Sequence, residues 1–172
     1  TENTCPGLRF PTRSFSELIS PPWQPKRIRC SLLFPHNSCE QHCRACRSSS
    51  PPRALYVTCS KGFERKTLEL PSRIIQSCFE AAGIAVLSGP SHAEETSRGL
   101  PTTVVVASRD DTLSAKIQQI ISTDTFRVYT SSDAMGVEVA GASKNVIALA
   151  AGISDGLGYG DNARAALVCR GA

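Results

Sequence analysis

The thirty residues from Ser131 to Gly160, SSDAMGVEVAGASKNVIALAAGISDGLGYG, constrain the fold more than any other stretch. Met135, Val137, Val139, Ala142, Val146, Ile147, Leu149, Ala150 and Ile153 recur at helical intervals, which predicts one long helix. Its many Ala and Gly residues let it pack close against a neighbour. Ser131 and Ser132 are placed to cap its start. The helix carries one lysine, Lys144. A lone lysine on such a helix is either held in a cleft or solvated, and by itself it reads as a solvated surface cation. Gly156, Gly158 and Gly160 predict a turn, and Asp161 to Cys169 a further helix. G-L-G-Y-G is not read as a dinucleotide fingerprint, because a helix rather than a strand precedes it.

Upstream, short β-rich runs alternate with helical patterns. Ala54–Thr58, Ile84–Leu87, Thr102–Ala107 and Phe126–Thr130 read as strands, the first of them parallel. Leu68 to Ala82 and Asp110 to Ser122 read as helices. The first has a stripe of Leu68, Leu70, Ile74, Ile75, Cys78 and Phe79, the second of Leu113, Ile117, Ile120 and Ile121. This is the pattern of an α/β sheet whose strand ends face a ligand crevice. Lys61 follows one strand end, with Gly62 beside it for close backbone approach. Such a cation can hold a phosphate or polarise a carbonyl oxygen; the alternative is a solvated loop lysine. The turn Ser88-Gly89-Pro90-Ser91-His92 runs into a helix start, a natural place for an anion. His92 reads as packing, and Glu94 and Glu95 as ordinary first-turn acids.

The first fifty residues are different in kind. They hold seven Lys/Arg against three Asp/Glu, whereas the remaining residues hold twelve of each. Five of the eight cysteines are there: Cys5, Cys30, Cys39, Cys43 and Cys46. Pro21-Pro22, Pro25 and Pro51-Pro52 interrupt regular structure, and only Ser31 to Phe34 is a short apolar piece. His36, Cys39, His42, Cys43 and Cys46 have zinc-ligand chemistry. Their spacing matches no standard two-knuckle site and no second pair closes one. Basic charge near Trp23 gives only a weak nucleic-acid footprint. A small zinc- or nucleic-acid-binding protein built on His36–Cys46 is the alternative reading. No run of apolar residues is long enough to predict a membrane span, and the start does not read as a signal peptide. The remainder reads as a reduced, cytoplasmic enzyme.

The segment AGASKNVIALAAGISDGLGYGDNARAAL closely resembles the substrate-domain signature of the NAD(P)-dependent glycerol-3-phosphate dehydrogenases. The resemblance runs upstream to about Pro52 and takes in CSKGFE, VLSGPSHAEE and GLPTTVVVAS in the right order. It implies a Rossmann-type α/β domain followed by an all-α substrate domain. The chain then divides into an irregular segment, 1–51, part of the nucleotide domain, 52–131, and the first helices of the substrate domain, 132–172. The implied reaction is reversible hydride transfer between sn-glycerol 3-phosphate and dihydroxyacetone phosphate, with NAD or NADP. The resemblance makes Lys144 the catalytic acid/base, with Asn145 its orienting partner. Lys61 contacts cofactor and substrate, Gly89 and Ser91 hold substrate, and Ala93 lies near the cofactor. A free lysine has a pKa of about 10.4, so this role calls for burial of Lys144 beside Lys61. The implied partners are a small-molecule substrate and a second subunit of a homodimer, not nucleic acid. His92 stands where an aromatic Phe is expected, and Ser143 where an aliphatic residue is usual.

The family's G-x-G-x-x-G loop and its R-N pair near the substrate phosphate do not occur, so the chain is expected to be a truncated form; a non-catalytic relative of these dehydrogenases is a further alternative. Its strand and V-P-T/S helix start before the K-G motif are also absent. Reading the codons for Cys30–Arg47 one base earlier permits LVVVPTQFLRATLPGLP, which supplies that segment. Residues 12–50 are therefore expected to be out-of-frame translation, and poorly packed.

Overall fold

The computed structural model describes the backbone of residues 28–31 and, in full, residues 55–79 and 83–171. A five-stranded sheet has the order β1-β2-β3-β4-β5: Ile28–Ser31, Leu55–Thr58, Gly83–Ser88, Thr102–Ala107 and Phe126–Ser131. The first three strands are parallel. β4 runs antiparallel to β3, and β5 parallel to β4. The helices are α1 (Pro71–Cys78), α2 (Ala93–Ser97), α3 (Asp111–Ile121), α4 (Ala134–Gly156) and α5 (Gly160–Gly171).

Alternation along the strands sorts the core onto the two sheet faces. Tyr56 packs with Ile74, Ile75 and Cys78 of α1, and its ring stacks on Phe79 at 4.4 Å. Val57 joins Ala85, Val104, Val106 and Val128 under Leu113 and Ile117 of α3. The apolar runs expected as strands are therefore strands because both neighbours offer a helix to bury against. β1 corrects the expectation that nothing before residue 51 is regular. Its register, Cys30 opposite Val57 and Ser31 opposite Thr58, extends the sheet through backbone pairing, which short apolar patterning does not reveal. The His36–Cys46 cluster and most of the segment read as out of frame lie outside the described residues.

The α1 boundary also differs from the expected Leu68 start. Leu68 is exposed and has φ 57°, in the left-handed region. The carboxylate of Glu64 accepts from Lys66 N, Thr67 N and Thr67 Oγ1, while Leu68 N donates to Glu64 O. These bonds hold the Glu64 carboxyl below its ordinary range, chiefly through Thr67. They wind the chain into a loop instead of a helical turn. Leu70 is extended, as a residue before proline must be, so the helix begins at Pro71.

α4 starts one residue later than serine capping would place it. Asp133, not Ser131 or Ser132, is the N-cap, accepting from Gly136 N at 2.8 Å. Ser131 Oγ instead accepts from Asp133 N and steadies the cap. A Cβ on Gly136 would collide with the Asp133 carboxylate. Gly136→Ala should therefore forgo the gain of about 1 kcal/mol that Gly→Ala brings inside a helix, because displacing the cap costs about as much. In an Asp133→Ala background the same change should stabilise by about 1 kcal/mol, and urea unfolding of the four variants measures the difference.

Twenty-three residues make α4 roughly 34 Å long. It ends at Gly156, and Gly158 and Gly160 have φ 72° and 80° in the turn to α5. Arg164 of α5 reaches back to Asp155 at 3.3 Å and pairs with Asp161. The close packing expected of a helix rich in Ala and Gly is formed at Gly141, while the large apolar residues of α4 stay mostly uncovered by the described residues. Met135, Val139, Val146, Leu149 and Ile153 are exposed, and the buried side chains of α4 are Glu138 and Ser154. Val137, Ala142, Ile147 and Ala150 are half-buried, so the described residues cover only part of the apolar stripe. Leu149→Glu and Ile153→Glu should each change unfolding free energy by less than about 0.5 kcal/mol, read from the urea midpoint.

Candidate functional site

β2 and β3 are adjacent and parallel, so the turns after Thr58 and Ser88 emerge side by side. Ser60 N donates to Thr58 Oγ1, and Gly62 takes φ 103°, where only glycine is comfortable. The turn sends Lys61 towards the second strand end, where its Nζ donates to Gly89 O at 3.1 Å. Ser91 N donates to the same carbonyl at 3.1 Å. Gly89 itself is pressed against β4: a Cβ there would lie 2.8 Å from Thr103 O and 2.9 Å from the Val104 Cα. The sequence separates Lys61 and Gly89 by 28 positions, and the fold joins them by a hydrogen bond.

α4 crosses this edge at Gly141. A Cβ on Gly141 would sit 3.2 Å from Ser88 Oγ and 3.7 Å from the Lys61 Cγ. Lys144 and Asn145 follow three and four positions later, on the same side of the helix as Gly141. Both are exposed. The enclosure expected to make Lys144 a proton-transfer group is therefore not supplied by the described residues. Ser91 and Ala93 are likewise exposed. Ala93 opens α2, which has only five residues and no capping side chain at His92. So short a helix does not provide the anion site expected at its N-terminus.

Sequence reading named Ser88 only as part of its turn, and missed two groups that build this edge: Gly141 and Glu138. Glu138 is only 3% exposed. Its carboxylate accepts from Ser72 N at 2.9 Å and from Ser72 Oγ, across 66 positions of sequence. It thereby caps α1, whose own N-cap, Leu70, has no side-chain acceptor. Burial pushes the Glu138 carboxyl up from its ordinary range, and the Ser72 bonds and the Arg73 charge partly oppose this. The signal was available: a single acid inside the apolar run V-E-V of a helix.

Models of two families match the chain in order. Residues 31–114 match the N-terminus of NAD-dependent glycerol-3-phosphate dehydrogenase, and residues 133–172 match its C-terminus. The chain belongs to the glycerol-3-phosphate dehydrogenase family.

The glycerol-3-phosphate dehydrogenase (NAD(P)+) of Clostridium tetani is 47% identical over 140 residues, 81% of this chain and 40% of that protein. That of Halothermothrix orenii is 56% identical over 117 residues, 68% of this chain and 34% of that protein. The crystal structure of glycerol-3-phosphate dehydrogenase from Coxiella burnetii superposes with a TM-score of 0.74 at 33% identity, over 84% of this chain and 45% of that one. The enzyme from Saccharomyces cerevisiae gives 0.72 at 27% identity, over 83% and 43%. The chain thus spans about two-fifths of the length of the curated relatives it matches. The Rossmann-type fold and the family read from the motifs both hold. The family match begins at residue 31, inside the segment that the motifs alone left out. Among the described residues no helix is long and apolar enough to cross a membrane, and no cluster of His, Cys, Asp and Glu could hold a metal ion.

Proposed function

We propose that this chain forms the substrate edge of an enzyme that interconverts sn-glycerol 3-phosphate and dihydroxyacetone phosphate. The observation that carries the reading is the Lys61–Gly89 hydrogen bond beside Gly141. It joins the K-G and G-P-S motifs, and Gly141, three positions before the K-N motif, passes beside them. NAD or NADP, when bound, gives or takes the hydride. The residues present fit the reactive end of such a cofactor. Gly62 and Gly89 leave the strand ends without side chains, and Lys61 supplies one cation.

Lys61 holds an oxygen of substrate or cofactor by charge and hydrogen bond. Gly89 and Ser91 line the substrate, and Ala93 lies on the cofactor side. In the reducing direction the Lys144 ammonium gives its proton to the oxygen that becomes the alcohol. In the oxidising direction its neutral amine takes that proton back. Asn145 orients Lys144 or the substrate hydroxyl. The whole enzyme works in the cytoplasm as a homodimer on a small phosphorylated triose, without nucleic acid.

Calorimetric titration with dihydroxyacetone phosphate tests this reading. Lys61→Ala should weaken binding on the order of ten-fold, the worth of one charged hydrogen bond. Equal affinity of Lys61→Ala and wild type would refute the role given to Lys61.

A further inference from the structure

We infer that Glu138 is a positioning residue for the substrate edge: by gripping Ser72 it sets the rotation of α4, and with it the placement of Lys144 and Asn145. The inference rests on the reading of those residues given above.

A carboxylate that is 3% exposed within an otherwise weakly buried helix needs a reason. Burial opposes its ionisation, so a stretch serving only to cover the sheet would carry an apolar group there. The two bonds to Ser72 tie α4 to the first turn of α1, an element otherwise without a side-chain cap. Arg73, next along, adds a favourable charge. Glu138, Gly141 and Asn145 are spaced i, i+3, i+7 and so share one stripe of α4. The first is fixed by Ser72. The second passes Ser88 and the Lys61 stem without room to spare. The third follows one turn further on, with Lys144 beside it.

Elsewhere α4 offers little to fix its rotation. Its apolar side chains at Met135, Val139, Val146, Leu149 and Ile153 are exposed. The polar grip at Glu138 ties α4 to α1, and the close approach at Gly141 ties it to the sheet edge. Loss of the first should let the helix turn about the second.

The test compares Glu138→Ala, Glu138→Gln and a control, Ile117→Val, which loosens the core on the opposite sheet face. Amide chemical shifts without ligand report the placement of α4, and titration with dihydroxyacetone phosphate reports the site. Glu138→Ala should move the amides of Gly141, Lys61 and Gly89 and weaken binding on the order of ten-fold. Glu138→Gln, which can accept from Ser72 N and donate to Ser72 Oγ, should restore both. Ile117→Val should alter neither. Unchanged Gly141 and Lys61 amides in Glu138→Ala would overturn the inference, as would failure of Glu138→Gln to rescue them. If the wild-type chain bound no dihydroxyacetone phosphate, the substrate reading would fail by itself, while the ligand-free shifts would still decide what Glu138 does.

Discussion

Gly89→Ala should unfold at markedly lower urea, with a loss of about 2–3 kcal/mol and an unchanged m-value. The added methyl would meet two backbone atoms of β4, Thr103 O at 2.8 Å and the Val104 Cα at 2.9 Å. Neither can swing aside as a side-chain tip would. Relief requires β3 and β4 to part near the pair Ser88 and Val105, where the antiparallel ladder ends. The same movement carries Gly89 O away from Lys61 Nζ, so dihydroxyacetone phosphate affinity should fall with stability. Gly99 is the matching control. It has φ 72° but open space where a methyl would go, so its substitution strains one residue and leaves the site intact. A Gly89→Ala protein as stable as wild type would mean that the close approach of β3 and β4 is wrong.

Glu138→Ala should cost about 2 kcal/mol at neutral pH, because Ser72 N at the start of α1 loses its acceptor. Glu138→Gln should cost far less, since it keeps both bonds and removes a buried charge. The wild type should also carry a pH signature. Burial raises the Glu138 carboxyl in the folded chain above its value of about 4.5 in the unfolded one. The folded state therefore binds the proton more tightly. The resulting stabilisation is complete below that unfolded value and is lost as pH rises through the folded one. Urea unfolding measured upward from about pH 4.5 should show the decline in wild type and a flatter profile in Glu138→Gln. Identical profiles would contradict the burial of this carboxylate.

Much of the fold is legible in the sequence because local pattern and tertiary context agree. Thr102–Ala107 is a β-branched run with Pro101 before it, and it forms a strand with those limits. The stripe of Leu113 and Ile117 lies where the sheet needs a helix, and Asp110 caps it through Thr112 and Leu113. Legibility fails where backbone or distant contacts decide. Leu68 fits a helical stripe by spacing, yet Glu64 and Pro71 hold it outside the helix. IRCS is too short for its alternation to mark a strand, and its strand rests on pairing with β2. The apolar stripe of α4 reads as a packing face, but the side chains it buries in the described fold are Glu138 and Ser154.

For the site, residue types at strand ends locate Lys61 and Gly89, and the hydrogen bond between them follows from parallel neighbours. The groups that aim α4 escape notice for a different reason. Ser72 and Glu138 lie 66 positions apart, and nothing local marks them as partners. Gly141 reads as one more small residue in a helix rich in them. Its meaning appears only beside Ser88 and Lys61.

The most direct measurement is a map of backbone amide shifts during titration with dihydroxyacetone phosphate. A shared substrate edge predicts that Lys61, Gly62, Gly89 and Ser91 move together with Gly141, Lys144 and Asn145, along one saturation curve. Shifts confined to one of these segments, or centred on the opposite end of the sheet, would contradict the convergence of the three motifs on a single site.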